Sequence, residues 1–493
     1  MTTRNRGVVL AAVAAALSVA LAACGSQLDP NDVQAASLNS LGMTAPGAEG
    51  GLTDPGAVPG TTSTDPGAAV PGGGTAASGG GGAAGSASGT TGGAAAPAAS
   101  GENAAAGKVA KGSCAGFENQ TGVTDKTITI ANVSDISGPV PGLFESTQQA
   151  TRAYAAYFNA TSDICGRKLE VLALDSRTDA GADQQAYTKA CEQAFAAVGS
   201  MSAFDSGGAA TADRCGLPDI RSTAVTPERI GCSTCFGTQS VAVNLVPNSV
   251  ADYFVENHPE AVKKAAMLAL NVQATRVNAD SAAAAYTKRG FEFVYQDTVD
   301  VSEFNYAPYV QEMKDRGVRW VRFLGAYTNA VRLAQAMQQQ GFEPDVFLQD
   351  STVYDPRYVE QGGDAVEGTY VFMNIHPFED TAANKEMQLY QGWLQQVKPG
   401  STPDFFGVYA WSAARLFVEQ SIALGGDLSR ERLVERIRSV DDWTGNAIHS
   451  PQPIGSKRTS ECFRVIRLEK GRWVRKSPGN YMCNGLTDSG IGG

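Results

Sequence analysis

The sequence predicts an α/β chain of two doubly wound parallel-sheet lobes preceded by a disordered tether. Three observations carry this. Beyond residue 112, short β-branched runs alternate with segments of helical periodicity, the alternation restarts near residue 265, and every aromatic side chain falls in that part of the chain. The stretch from Gly25 to Gly112 holds 88 residues with 22 Gly, eight charged side chains and no aromatic. Such a composition cannot bury enough apolar surface to build a core. The 39 aromatics all lie among the 381 residues from Ser113 to Gly493, which is enough chain for two ordinary lobes. The glycines lack a strict period of three, which excludes collagen.

Arg4 and Arg6 precede an apolar run from Val8 to Ala23 broken only by Ser18, which reads as an export signal over residues 1–23 and is too short and Ala-rich for a membrane span. It closes on Leu21-Ala22-Ala23-Cys24-Gly25, which resembles the lipobox of bacterial lipoproteins. That resemblance implies that Cys24 is lipidated with a diacylglycerol and palmitate-type chains, and holds the protein on the extracytoplasmic face of the cell membrane. Residues 24–112 then form the tether, with a near-repeat at Thr53–Gly60 and Thr64–Gly72, and a flexible coil of that length spans roughly 50 Å. Of the net charge of -11, the signal contributes +2 and the tether -4, leaving -9 on the folded part. That surface repels phosphate backbones, so nucleic acid is not an expected partner. The basic run from Lys457-Arg458 to Lys476 is interleaved with Glu461 and Glu469 like a solvated strand face.

Each element has its own signal. Thr127 to Val133 and Lys168 to Leu174 read as strands, with a one-faced helix from Phe144 to Asn159 between them. Asp183 to Val198 reads as a helix, Ile220 to Ser222 as a strand, and Asn248 as the cap of a helix running to Asn257. The pattern then restarts with strand Ala265–Leu270, helix Asn278–Arg289, strand Phe291–Val299, helix Ala307–Arg316 and strand Trp320–Leu324. Helix Asn329–Gln340 and strands Val346–Leu348 and Thr369–Met373 complete it. Ligands of such sheets sit beyond the carboxyl ends of the strands. Eight cysteines follow Cys24, an even number that favours disulfides in an exported chain. Proximity along the chain guides the pairing Cys114–Cys165, Cys191–Cys215, Cys232–Cys235 and Cys462–Cys483, the last closing a terminal hairpin.

The run Ile128–Val140, the segment Gly166–Glu170, Asp175, Ala224–Glu228, Gly317–Leu324, Gly341-Phe342 and Gly368–Val371 together resemble the type I periplasmic binding proteins. Within them the sequence is most similar to the leucine/isoleucine/valine-binding branch that serves ABC importers. The resemblance implies three hinge crossings, near Leu245–Asn248, Ile375–Phe378 and Asp441–Ile448. One lobe would comprise residues 113–247 with 377–447, the other 248–376 with 448–493. It further implies that a solute trapped between closing lobes shifts an open–closed equilibrium that a permease reads. Carried over residue by residue, the ligand contacts would be Ser137 and Gly138, an aromatic wall at Leu143 or Phe144, Ser202, Phe204 and Asp205, and Thr223 with Ala224. In the second lobe they would be Gln273, Tyr327, and Asp350 with Ser351. The acidic position that holds an α-ammonium in the family aligns with Ser351, with Asp350 beside it facing the other way if the strand persists. A buried ammonium without a carboxylate is costly, which favours a neutral, amide-like or aromatic solute over an ordinary amino acid.

Other chemistries have weaker handles. Asp205-Ser206-Gly207-Gly208 resembles the nucleophile region of chymotrypsin-like proteases, yet His258, His376 and His449 all follow Ser206, the reverse of that family's order. A Gly-Gly turn opening a helix accounts for it better. Cys232-Ser233-Thr234-Cys235 has redox or half-zinc spacing but no second ligand pair, so a structural disulfide is the reading and no metal is expected. No Walker or GxGxxG fingerprint follows a strand, so no cofactor is implied. The function expected is therefore non-enzymatic: an extracytoplasmic lipoprotein delivering a small molecule to ABC permease subunits. The alternative is a lipoprotein that uses the same lobes to signal ligand to a membrane or cell-wall partner.

Overall fold

The computed structural model describes residues 110–491. The expected signal segment, Cys24 and the tether up to residue 109 lie outside the described residues. Two sheets, both within one compact unit, organise the rest.

The first sheet is built from β1 (Thr127–Ser134), β2 (Lys168–Asp175), β3 (Ala196–Val198), β4 (Asp219–Ala224) and β5 (Cys235–Ser240), in the order β2-β1-β3-β4-β5 and parallel throughout. The β1–β2 register runs from Thr127 opposite Lys168 to Ser134 opposite Asp175. From Ile130 to Ser134 β1 is buried without alternation, as a parallel strand covered on both faces must be. Helices α1 (Glu145–Thr161), α2 (Ala180–Gln193), α3 (Ala209–Arg214) and α4 (Pro227–Gly231) connect these strands. The helix expected from Asp183 to Val198 stops at Gln193, because Ala194 turns extended and the wholly buried Ala196–Val198 pairs between β1 and β4. That choice belongs to the sheet, since alanine on its own favours helix.

A short β6 (Leu245–Pro247) leads to α5 (Asn248–Asn257). Asn248 does not cap this helix: it is the first helical residue, and its side chain instead accepts from Thr487 Oγ1 and donates to the Asn484 carbonyl. The second sheet is formed from β7 (Ala265–Leu270), β8 (Phe293–Val299), β9 (Trp320–Leu324), β10 (Val346–Gln349) and β11 (Tyr370–Met373). Helices α6 (Gln273–Lys288), α7 (Ala307–Asp315), α8 (Tyr327–Gln339) and α9 (Pro356–Gly362) link them. Its parallel core, β8-β7-β9-β10-β11, repeats the strand order of the first sheet. Antiparallel β12 (Cys462–Glu469) and β13 (Arg472–Arg475) extend it, with β14 (Met482–Cys483) beside β12, while β15 (Leu486–Asp488) pairs with β6. The basic stretch expected as a solvated face is largely interior in β12, where Arg464 is buried with its guanidinium over the Tyr481 ring.

Between β11 and β12 the chain returns to the first sheet as α10 (Lys385–Val397), α11 (Phe405–Leu424) and α12 (Arg430–Ile437). Seventeen of the 20 residues of α11 are buried, so it has no polar stripe and its periodicity is silent in the sequence. Its charged Arg415 is held between Glu386 and Glu419. Three segments cross between the sheets and bond to one another. Ile375 bridges His449, the Ser450 N–H donates to the Asn374 carbonyl, and Thr459 Oγ1 donates to the Ala242 carbonyl. The four expected disulfides, Cys114–Cys165, Cys191–Cys215, Cys232–Cys235 and Cys462–Cys483, are all closed.

Candidate functional site

In each sheet the chain reverses its winding beside the first strand, at β1/β3 and at β7/β9, and the crevices at such points face outward from the strand carboxyl ends. The two crevices face one another across a cavity of about 310 Å³. Ala203, Thr223 and Val225 line it from the ends of β3 and β4, Leu270 and Val272 from the end of β7, and Tyr327 and Asp350 from the ends of β9 and β10. The cavity continues past the crossing segments, between α6 and the face of the second sheet, where it meets Tyr286, Arg322 and Phe372. Most of its wall is apolar.

Five of the twelve expected contact residues lie on this wall: Phe144, Thr223, Tyr327, Asp350 and Ser351. Leu143 lies there too, and the Phe144 ring packs edge-on against Phe406 at 4.8 Å. Asp350 and Ser351 both reach the cavity, since the strand ends at Gln349 and the alternation that would separate their faces ends with it. The Asp350 carboxylate caps the following turn, accepting from the Thr352 N–H at 2.9 Å and from its hydroxyl at 2.5 Å. Tyr327 lies under the Arg357 guanidinium at 4.9 Å, and that guanidinium is paired with Asp355.

The other seven sit elsewhere. Ser137 is exposed, and its hydroxyl and N–H both go to Asp175. Burial pushes the Asp175 carboxyl up, but the hydrogen bonds from Ser137, Arg177 and Ile136 outweigh it and hold the pKa below its ordinary value. Gly138, at φ 108°, leaves no room for a Cβ, which would lie 2.2 Å from the Arg177 carbonyl oxygen. Ser202 is fully buried and donates to Asp135, which also accepts from the Ala203 and Thr178 N–H groups and so ties three loops together. Asp205 is likewise buried, accepting from Thr226 Oγ1 and the Val225 N–H and lying 4.0 Å from Arg221. Ala224 is buried within β4, and Phe204 is half-buried off the cavity wall. Gln273 joins the lobes at their rim. Its Nε2 donates to the Glu228 carboxylate at 3.2 and 3.3 Å, and its Oε1 accepts from the Ser206 hydroxyl at 3.5 Å.

Residues missed by sequence reasoning dominate the interior. Phe405 and Phe406 come from α11, which carries no periodic signal. Arg322 is 6% exposed, in the middle of Trp320-Val321-Arg322-Phe323-Leu324. A lone arginine inside a fully buried strand is a sequence signal, because a charge there needs a partner. Asn374 is fully buried just past β11, and neither polar side-chain atom has a partner among the described residues. Asp404, also on the wall, caps α11 through the Gly407 N–H at 2.8 Å, and burial pushes its carboxyl up to about 6.

The arrangement can enclose a molecule. Ser206 engages Gln273, and the three histidines are engaged with Tyr370, the Asp380 carbonyl and Ser412. Among the described residues no group of three metal-ligating side chains occurs, and no helix is long and apolar enough to cross a membrane.

A family model described as periplasmic binding protein matches residues 127–472. No curated protein matches. Among solved structures, a fatty acid ABC transporter substrate-binding protein from Thermomonospora curvata is similar with a TM-score of 0.65 at 17% identity, over 75% of this chain and 95% of that one. A leucine binding protein from Thermotoga maritima gives 0.61 at 16%, over 71% of this chain and 98% of that one. An ABC transporter solute binding protein from R. palustris in complex with benzoate gives 0.62 at 16%, over 74% of this chain and 99% of that one. Likeness at these identities shows a shared fold.

Proposed function

We propose that this chain, which belongs to the periplasmic binding protein family, captures a small organic solute between its lobes and passes it to the permease subunits of an ABC importer. The resemblance of Leu21–Gly25 to a lipobox supports a site of action outside the cytoplasm, with Cys24 as the lipid anchor. One observation carries the reading: an apolar cavity is walled by both lobes and by all three crossings. A solute that touches both lobes stabilises the closed arrangement more than the open one, and a permease recognises that arrangement by shape. Micromolar binding supplies about 8 kcal/mol in total, from which closure is drawn.

The wall favours a largely apolar body, aromatic or amide-like, over an ordinary α-amino acid. At the position expected to hold an α-ammonium stands Ser351, whose hydroxyl donates to the Phe372 carbonyl, and the neighbouring Asp350 is committed to Thr352. Relatives of this fold include a fatty acid transporter protein and one holding benzoate, whose cargoes share an apolar body. The test is solution scattering of the whole chain with a panel of amino acids, amides, aromatic acids and short peptides. The radius of gyration should fall with the cognate solute; an unchanged radius across the panel, with no thermal shift, would refute capture by closure.

A further inference from the structure

We infer that the solute is an organic carboxylate with an apolar body, and that Arg322 receives its anionic end. This rests on the reading of the cavity as a solute site and replaces the neutral polar end considered above with a charged one.

Three buried arginines, Arg167, Arg322 and Arg464, have no carboxylate of the described residues within ion-pair distance, and of these Arg322 alone lines the cavity. Arg221, Arg229 and Arg415 are each within ion-pair distance of at least two carboxylates. Arg322 lines the cavity at 6% exposure, and no carboxylate of the described residues lies within 4.0 Å of it. Its Nη1 donates to the Tyr286 hydroxyl at 3.3 Å, and its guanidinium stands 4.9 Å from the Phe372 ring centre and 5.6 Å from that of Tyr286. Its Nε is buried with no partner among the described residues. An aromatic face and a neutral hydroxyl compensate a guanidinium only in part, and a buried charge left so is costly.

The acidic groups of the same wall are already committed. Asp350 accepts from Thr352, Asp355 is paired with Arg357, and Asp404 caps α11. A second observation points to the same place. Arg322 is in register with Leu348, and Leu348 with Tyr370, so Phe372, two residues beyond Tyr370, presents to the same face of the sheet as Arg322. Asn374, two residues further along, also reaches the cavity, fully buried, with both its amide oxygen and its amide nitrogen unpartnered among the described residues. A carboxylate between sheet and α6 would take the charge-assisted bonds that the guanidinium fork supplies, and the Asn374 amide would donate beside it. The apolar body then extends along the wall formed by Leu270, Val272 and Phe406.

The test uses the whole chain with octanoate and 3-phenylpropanoate as probes, each against its own primary amide, by titration calorimetry. The wild type should bind at least one acid about tenfold or more tightly than the matching amide. Arg322→Met should erase that preference, losing about tenfold or more on the acid while the amide stays within about threefold. Arg322→Lys, which keeps the charge without the fork, should retain a smaller preference for the acid, and it decides the matter if the Met variant does not fold. Amides binding the wild type as tightly as acids, or a folded Met variant that still prefers acids, would overturn the inference; so would a site satisfied by water alone, in which neither acid binds. If another solute of the panel nevertheless closes the lobes, only the anion assignment falls; if none does, the solute-binding reading falls with it.

Discussion

His449 sits in the third crossing segment, where a change of charge would reach the seam between the lobes. It is fully buried, stacked on Tyr409 with ring centres 4.8 Å apart. Its Nδ1 faces the Ser450 carbonyl at 2.8 Å, so Nδ1 carries the proton and donates, leaving Nε2 to accept from the Ser412 hydroxyl at 2.7 Å. Ser412 Oγ in turn accepts from the Trp443 indole N–H at 2.8 Å. A proton on Nε2 would set two donors against the Ser412 oxygen and displace its own hydrogen. Burial therefore dominates and lowers the pKa from 6.5 to about 4, against the opposing hydrogen bond to Ser450. Because the folded value lies below the unfolded one, the unfolded chain binds more protons between these limits and stability falls as pH drops through them. At pH 5 the loss relative to pH 7 amounts to about 2 kcal/mol. Asp183 and Asp404, both pushed up to about 6, and Glu419, pushed up to about 7, act in the opposite sense, burial being the largest cause in each. Their raised carboxyls favour the folded state more as pH falls, so the wild-type curve alone does not isolate the histidine. Urea unfolding of wild type and His449→Gln at pH 7 and pH 5, with disulfides intact, does. The change on acidification should be more unfavourable in the wild type by about 2 kcal/mol. Equal pH dependence in the two proteins would refute the tautomer and burial argument.

Two further outcomes follow from named contacts. Gln273→Ala removes the rim bonds to Glu228 and Ser206, which exist only while the lobes touch. At about 1 kcal/mol for the lost bonds, solute affinity should fall roughly fivefold and the unliganded radius of gyration should rise, read by calorimetry and scattering. Arg229→Met leaves Asp183 and Asp219 without their shared guanidinium in a fully buried cluster, and urea unfolding should show a loss of about 3–5 kcal/mol without altered solute selectivity.

Much of the fold was legible because its signals are local. The short apolar runs of β1, β7 and β9 reflect strands covered on both faces, and the one-sided pattern of α1 reflects residues that return to the core every three or four positions. α11 was silent because it is surrounded, and β3 was misread because alanine says nothing about strand pairing. The site was less legible than the fold. Of the residues the resemblance pointed to, Ser202 and Asp205 turn inward to hold their loops together while Thr223 and Tyr327 turn to the cavity.

By itself the sequence determined the division into an aromatic-free leader and an aromatic-bearing folded part, the repeated strand–helix alternation, and an even set of cysteines beyond Cys24. These depend on composition and short spacing, which no later folding step can alter. Only the tertiary structure decided which polar side chains face one another and which face the cavity. Hydrogen-bond satisfaction is a property of groups brought together from distant segments, as Arg322, Tyr286 and Asn374 are, and a one-residue shift in any of three elements would reassign it.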